Sequence, residues 1–382
     1  MKNKYLFTVI LTTICLLIFV IKAFGQDGYK TESFKVNKEG KLIVELSGGD
    51  IQIRTWEKNE IKIVYEEEEN DYYDGVKIYR DGNNITIRSS DYVDFEITCP
   101  PEFNLSLSTS GGNIGILNSI KGEVVVSTAG GDIMLNDIYG KLSANTAGGD
   151  IKCENVQGEA KLSSGGGDIV VGSVEGECKA STGGGDVRVK NVTKLLAIST
   201  GGGNVECSNI GGNTDISTGG GEISVDNISG VLTVTTGGGN VSARSIKKGG
   251  SVTTGGGDVT LKNLSGNIRV TSGAGNIVTE FVSVGTKKSK LVTGYGDITV
   301  YIPENAKVTI YAKVKWSEGN VWTLDKKEIS EMIKSDFKSS DEQLQFNQKR
   351  GEYDAVYNIN GGGTEIELET SIGYIEIKKL GR

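Results

Sequence analysis

A strict internal repeat constrains this chain more than any other feature. A motif of the form Ser/Thr-x-Gly-Gly-Asp/Asn/Glu-Ile/Val recurs with its polar residue at Asn113, Asp132, Asp150, Asp168, Asp186, Asn204, Glu222, Asn240, Asp258 and Asn276. The first spacing is 19 residues and the next eight are 18. Self-similarity of this kind marks a solenoid or array, in which each repeat is one small unit that buries its apolar face only against its neighbours. With the polar residue as position zero, position one is always Ile or Val, and position three is usually apolar (Leu135, Cys153, Val171, Val189, Cys207). Position two is mostly polar, so this stretch is a strand with one buried face. Position six is apolar again (Ile138, Val156, Val174, Val192), and positions ten and twelve form a second buried pair, as in Leu142/Ala144 and Leu232/Val234. Each period therefore reads as one coil of two or three short strands around a shared axis.

Asn at position five (Asn155, Asn191, Asn209, Asn227, Asn263) and Gly at position eight (Gly140, Gly158, Gly176, Gly212, Gly230, Gly266) read as corners, because both tolerate left-handed backbone. Stacked coils align the Asn side chains into a hydrogen-bonding ladder, and align Thr146, Thr182, Thr200, Thr218, Thr236 and Thr254 likewise. At about 4.8 Å per rung, ten coils make a rod about 45 Å long. The fold class expected is all-β: a parallel β-helix, or β-solenoid, with 18-residue coils. An 18-residue rung also suits a left-handed hexapeptide helix, but the polar position zero breaks that pattern and favours the right-handed form.

The composition fits this reading. The 382 residues include 55 Gly but only 3 Pro, and strands that donate hydrogen bonds on both sides leave little room for proline. Histidine is absent, which excludes Ser-His-Asp and Cys-His couples, His-ligated zinc and imidazole acid–base chemistry. Cys153 and Cys207 share position three but sit three rungs apart, about 14 Å, beyond the roughly 7 Å that a disulfide spans. With Cys99 and Cys178 they are expected to be buried free thiols.

Residues 1–25 have the pattern of a signal peptide: Lys2 and Lys4 as a basic head, an apolar run from Tyr5 to Ile21, and Ala23-Phe24-Gly25 before a cleavage point at Gln26. Ile14 precedes Cys15 where a lipoprotein signal wants a small residue, which argues against lipidation. Cleavage leaves no membrane span. It also removes Lys2, Lys4 and Lys22, making the mature chain more acidic than the formal −8 of the whole. Nucleic acid and bare anionic lipid are poor partners for such a surface.

Residues 26–108 read as irregular coils that begin the solenoid, with Gly48-Gly49-Asp50-Ile51 as an early copy and Glu66–Asp71 as an exposed acidic loop. The regular array covers 109–282. Residues 283–382 add further coils and a charged insert near 315–350, read as a cap. Within it Asp325–Phe337 has a helical composition, with Ile329, Met332, Ile333 and Phe337 on one face. Trp316 and Trp322 in the same insert are candidate partner-binding residues.

Together these residues carry a resemblance. The signal peptide, the early Ser-Gly-Gly-Asp-Ile-Gln-Ile segment, Phe95-Glu96-Ile97-Thr98-Cys99-Pro100, the Gly-Gly-Asp-Ile coils and the ending from Gly361 to Ile377 resemble the DUF4097 family of proposed adhesins. They are also similar to the adhesin-like head GIN domains of bacterial envelope proteins. The resemblance covers nearly all of the mature chain and implies a β-solenoid associated with the cell envelope, in the periplasm, at the surface or secreted. It supplies no catalytic motif.

Three functions compete. The first is an exported structural or adhesive protein without catalytic activity, whose ligand is a cell-surface component, a glycan or an envelope protein. The second is a polysaccharide-cleaving β-helix, because like charges stacked about 5 Å apart at Asp132, Asp150, Asp168 and Asp186 favour protonation, as general-acid carboxylates require. A cleft should break the repeat, however, and the array is most regular where these residues lie. The third is calcium binding by the same four aspartates. Asn and Glu replace Asp freely along the column and the period is not the nine residues of a calcium roll, so no cofactor is expected.

Overall fold

The computed structural model describes residues 28–66, 75–315, 331–337, 343–347 and 351–381. Residues 1–25, read as a signal peptide, most of the acidic run after Glu66, and both Trp316 and Trp322 lie outside them. The described residues form 35 strands, β1–β35 in chain order, and no helix. The molecule is a β-solenoid of two long, mostly parallel sheets, and each regular coil gives one strand to each sheet.

The coil beginning at Asn204 shows how the sequence does this. In β19 (Val205–Ile210), Val205, Cys207 and Ile210 are buried, and in β20 (Thr214–Thr218), Thr214, Ile216 and Thr218 are buried. Alternation holds from position one to three, then two residues separate positions three and six. The bend that this requires sits at position five, where Asn209, Asn227, Ser245 and Asn263 take φ of 52° to 59° in four successive coils. Val205 pairs in parallel with Val187 and with Ile223, a register of 18 on both sides. The same register repeats in the second sheet, where Ile216 lies between Ile198 and Val234. Every Ile, Val or Leu column therefore runs along the rod and closes one continuous core.

The position-eight glycines have a different cause from the left-handed corner expected of them. Of these six, only Gly266 has a positive φ. At Gly140, Gly158, Gly176, Gly212 and Gly230 a Cβ would lie 2.1–2.4 Å from a carbonyl oxygen of the preceding coil. Close stacking of backbones, rather than handedness, demands glycine there.

Both ends depart from sequential stacking. At the first end, β2 (Gly40–Gly48) lies between β6 (Asn84–Tyr92) and β8 (Phe103–Thr109), and β3 (Ile51–Thr55) lies between β7 (Phe95–Cys99) and β9 (Ile114–Ile116). Antiparallel strands finish each sheet: β5 (Val76–Asp81) on β6, and β4 (Glu60–Glu66) on β7 followed by β1 (Tyr29–Lys35) on β4. At the other end, β34 (Thr364–Ile372) inserts between β28 (Ser289–Tyr295) and β30 (Val308–Lys315). In the same way β35 (Ile375–Lys379) lies between β29 (Ile298–Ile302) and β31 (Ile333–Ser335). The second sheet then ends in the antiparallel strands β33 (Glu352–Ile359) and β32 (Gln343–Asn347).

The helical reading of Asp325–Phe337 is corrected here for its described part. Ile333–Ser335 is a strand, with Ile333 buried opposite Ile375, and Met332 and Phe337 packed half-buried against the core. The edge of β35 supplies the reason. Its Ile375 N–H donates to the Met332 carbonyl at 2.8 Å and its Ile377 carbonyl accepts from Asp336 at 2.9 Å, whereas a short helix must first meet the cost of nucleation.

Candidate functional site

The four candidate aspartates stack along one edge of the first sheet, just ahead of their strands. Each uses Oδ1 to accept the backbone N–H of the equivalent residue one coil further on. Asp150 N–H donates to Asp132, Asp168 to Asp150, Asp186 to Asp168 and Asn204 to Asp186, all at 2.8 Å. The ladder extends back through Asn113 to Asp50 and Asp94. Asn204 passes it to Glu222, whose longer side chain does not continue it to the next N–H; Asn240 resumes it through Asp258, Asn276 and Asp297 to Tyr374. Asn serves as well as Asp because the task needs one carbonyl-type oxygen at that reach. Arg188 lies against the outer oxygens, 3.1 Å from Asp186 Oδ2 and 3.9 Å from Asp168 Oδ2.

Two other columns work alongside this one. Thr146, Thr182, Thr200, Thr218, Thr236 and Thr254 each donate to a glycine carbonyl of the preceding coil and accept from the glycine N–H three residues on in their own, as Thr200 does with Gly185 at 2.9 Å and Gly203 at 3.1 Å. The expected Asn ladder forms in part: Asn209 donates to Asn191 and Asn227 to Asn209, at 3.1 and 2.9 Å, and Asn155 donates to Asp137. Among the described residues no three His, Cys, Asp or Glu side chains converge in a way that could hold a metal ion. Cys99, Cys153, Cys178 and Cys207 are buried and unpaired, and burial pushes each thiol up to about 12. A neutral thiol in an apolar column packs like a small hydrophobe and is a poor nucleophile.

One departure from this regularity is a place that the residue-by-residue reading did not single out. An open hollow of about 420 Å³ on the outer face of the second sheet is lined chiefly by Asn267, Arg269, Lys287, Lys288, Lys290 and Glu367. Lys288 and Lys290 each stand 2.8 Å from a different oxygen of Glu367. Their hydrogen bonds hold that carboxyl below its ordinary value, Lys288 first and Lys290 second. A second hollow of about 430 Å³ shares Lys288 and Glu367 and adds Tyr311, Lys313 and Asp354. The signal available in the sequence was the spacing, which lengthens from 18 to 21 residues between Asn276 and Asp297.

No curated protein matches the chain. Among solved structures, a "putative cell adhesion protein" from Clostridium sporogenes aligns over 92% of this chain and 100% of its own at 11% identity, with a TM-score of 0.14. A "putative adhesin" from Bacteroides fragilis aligns over 68% of this chain and 96% of its own at 14% identity and a TM-score of 0.24. A "putative lipid binding protein" from Parabacteroides distasonis aligns over 73% and 98% at 13% identity and a TM-score of 0.26. At such scores these likenesses carry no argument. The sequence itself matches the family model Toastrack DUF4097 twice, over residues 21–195 and 190–354, and the chain belongs to that family.

Proposed function

We propose that the protein is an exported rod of the cell envelope that binds a surface ligand without catalysing a reaction, in the manner of an adhesin. The observation that carries this reading is the use of the carboxylate column. The residues best suited to acid–base work, Asp132, Asp150, Asp168 and Asp186, each commit an oxygen to the N–H of the next coil and so serve the stack. The buried thiols and the lack of histidine support it further. The basic head and apolar run of residues 1–25 support export.

The purified protein should bind components of a glycan array or of intact bacterial or host cells, and should release no reducing ends from uronic-acid polymers. Release of reducing ends, abolished by substitution of the aspartate column, would overturn the reading. The calcium alternative predicts a melting temperature that rises by many degrees in millimolar calcium and falls with chelator; the expected result is no change.

A further inference from the structure

Two departures from the repeat meet at one corner of the rod. Position ten is a buried Leu or Ile in many coils, but here it is Gly250, in register between Leu232 and Ile268. Gly249 and Gly250 take φ of 70° and 153°, and a Cβ on either would lie 1.8 Å from a carbonyl oxygen of an adjacent coil. Two coils beyond Gly250, the interval from Asn276 to Asp297 is longer than the repeat, and this stretch carries Lys287 and Lys288. Asn267 ties the two together, its Oδ1 accepting the Lys287 N–H at 2.9 Å. The hollow described above is the result, with Gly250 as part of its wall.

The charge in this hollow is unbalanced. Glu367 is the one carboxylate among its lining residues; Lys288 and Lys290 share it and also reach Glu365 and Glu369, each at 3.7 Å, so the cations left without a carboxylate are Arg269 and Lys287. Arg269 and Lys287 are exposed, and neither side chain has an ion pair or hydrogen bond among the described residues. In a chain of formal net charge −8, like charges gathered without partners cost stability unless an anion joins them. A guanidinium beside an ammonium suits the paired oxygens of a carboxylate or sulfate. The neighbouring hollow adds two carboxylates, Asp354 and Glu365, each facing a lysine (Lys313 at 3.4 Å, Lys288 at 3.7 Å), and Tyr311, exposed to 41%, in register with Glu367 on the same sheet face. A flat phenol ring beside an anion site offers the apolar surface that one face of a sugar ring presses against. From Gly250 to Ala355 the two hollows follow five successive strand pairings, β24 (Gly250–Thr254) to β26 (Ile268–Ala274), then β28, β34, β30 and β33, a track of about 24 Å.

We propose that this track binds an acidic polysaccharide, with Arg269 and Lys287 contacting its carboxylate or sulfate groups and Tyr311 supporting an adjoining sugar ring. The proposal rests on the reading of the protein as a binding rod and supplies its ligand class. Titration calorimetry of the full protein with a size-defined oligogalacturonate and a heparin-derived oligosaccharide tests it, with a neutral cello-oligosaccharide and phosphatidylserine-containing vesicles as controls. At least one acidic oligosaccharide should bind, the neutral one should not, and affinity should fall as salt rises. The double variant Arg269→Glu/Lys287→Glu should weaken binding by about tenfold or more, while Lys179→Glu, five coils away on the same face, leaves it unchanged. Unchanged melting temperatures confirm that the exposed substitutions leave the fold intact. Failure of both acidic oligosaccharides to bind, binding indifferent to the double variant, or preference for the vesicles overturns the proposal. If array or cell binding persists in the double variant, the site falls and the binding-rod reading stands. If the wild type binds nothing on arrays or cells, the reading itself falls.

Discussion

A single side-chain oxygen, repeated at each coil, fastens one edge of this molecule. Asp132 illustrates how far its role can be read in sequence. Its place after a glycine run marks a polar turn residue, but only the stacked structure reveals the N–H of Asp150 at 2.8 Å. The pattern shows the residue type, whereas the partner lies 18 residues away and belongs to another coil. Two residue-level tests follow from the same closeness. Gly202 has open space where a Cβ would go, but on Gly203 a Cβ would lie 1.9 Å from the Gly185 carbonyl oxygen. Gly202→Ala should change stability by no more than about 0.5 kcal/mol, whereas Gly203→Ala should cost about 2 kcal/mol or more. Denaturant unfolding of the pair measures the difference, and equal losses would show that the glycine run is needed for chain freedom alone. Thr214 stands buried in register between Leu196 and Leu232, and its hydroxyl has no hydrogen-bond partner among the described residues. Thr214→Val should therefore raise stability by about 1 kcal/mol, and a fall in the unfolding midpoint would refute this.

At the scale of elements, the period was legible and the ends were not. The buried positions one, three, six, ten and twelve place both strands of a coil, because each buried residue meets its own counterpart above and below. The helical reading fails for the described part of the insert because its apolar spacing was read in isolation, while the open edge of β35 offered Ile333 a partner. Nor does any local pattern say that β34 lies between β28 and β30. What holds it there is charge as well as backbone: Lys288 and Lys290 reach Glu367 from one side, while Lys315 on the other side pairs with Glu369. The folded pKa of Glu367 is lowered from 4.5 and that of Lys288 is raised from 10.5. The carboxylate's contribution is complete above its unfolded value and disappears as pH falls through the lowered folded one; the lysine's disappears as pH rises through its raised one. Thermal stability should therefore decline below about pH 4, and Glu367→Gln should lower it at pH 7 and flatten that decline. An acid limb of the same slope in the variant would remove Glu367 from the account.

Across the whole molecule, the repeat makes the rod nearly one-dimensional. Each coil touches its two neighbours, so stability grows by addition and one unit can be removed without disturbing the rest. Deleting residues 187–204 joins Asp186 directly to Val205 and restores every register. That variant should keep a cooperative melt and an unchanged far-ultraviolet spectrum, while deleting residues 187–195, half a coil, should abolish both. Retention of structure after the half-coil deletion would contradict an 18-residue register. The rod was legible from its spacing. The basic hollow was not, because it arises where Gly250, Arg269 and Lys287, far apart in any local window, come together through stacking.

The insertion of β34 and β35 one place inward also sets an order of events. Thr364–Lys379 leave the ribosome after both β28 and β30. Until those residues arrive, β28 and β30 have no common neighbour and the pairing that joins them does not exist. The other end obeys the mirror rule, since β2 waits for β6 on one side and β8 on the other, and β3 for β7 and β9. Coils in the middle can add one upon the next as they emerge, but each terminus closes only backwards. A molecule halted before Thr364 would carry an unfilled slot with two parallel edges, shaped to accept a strand from another copy.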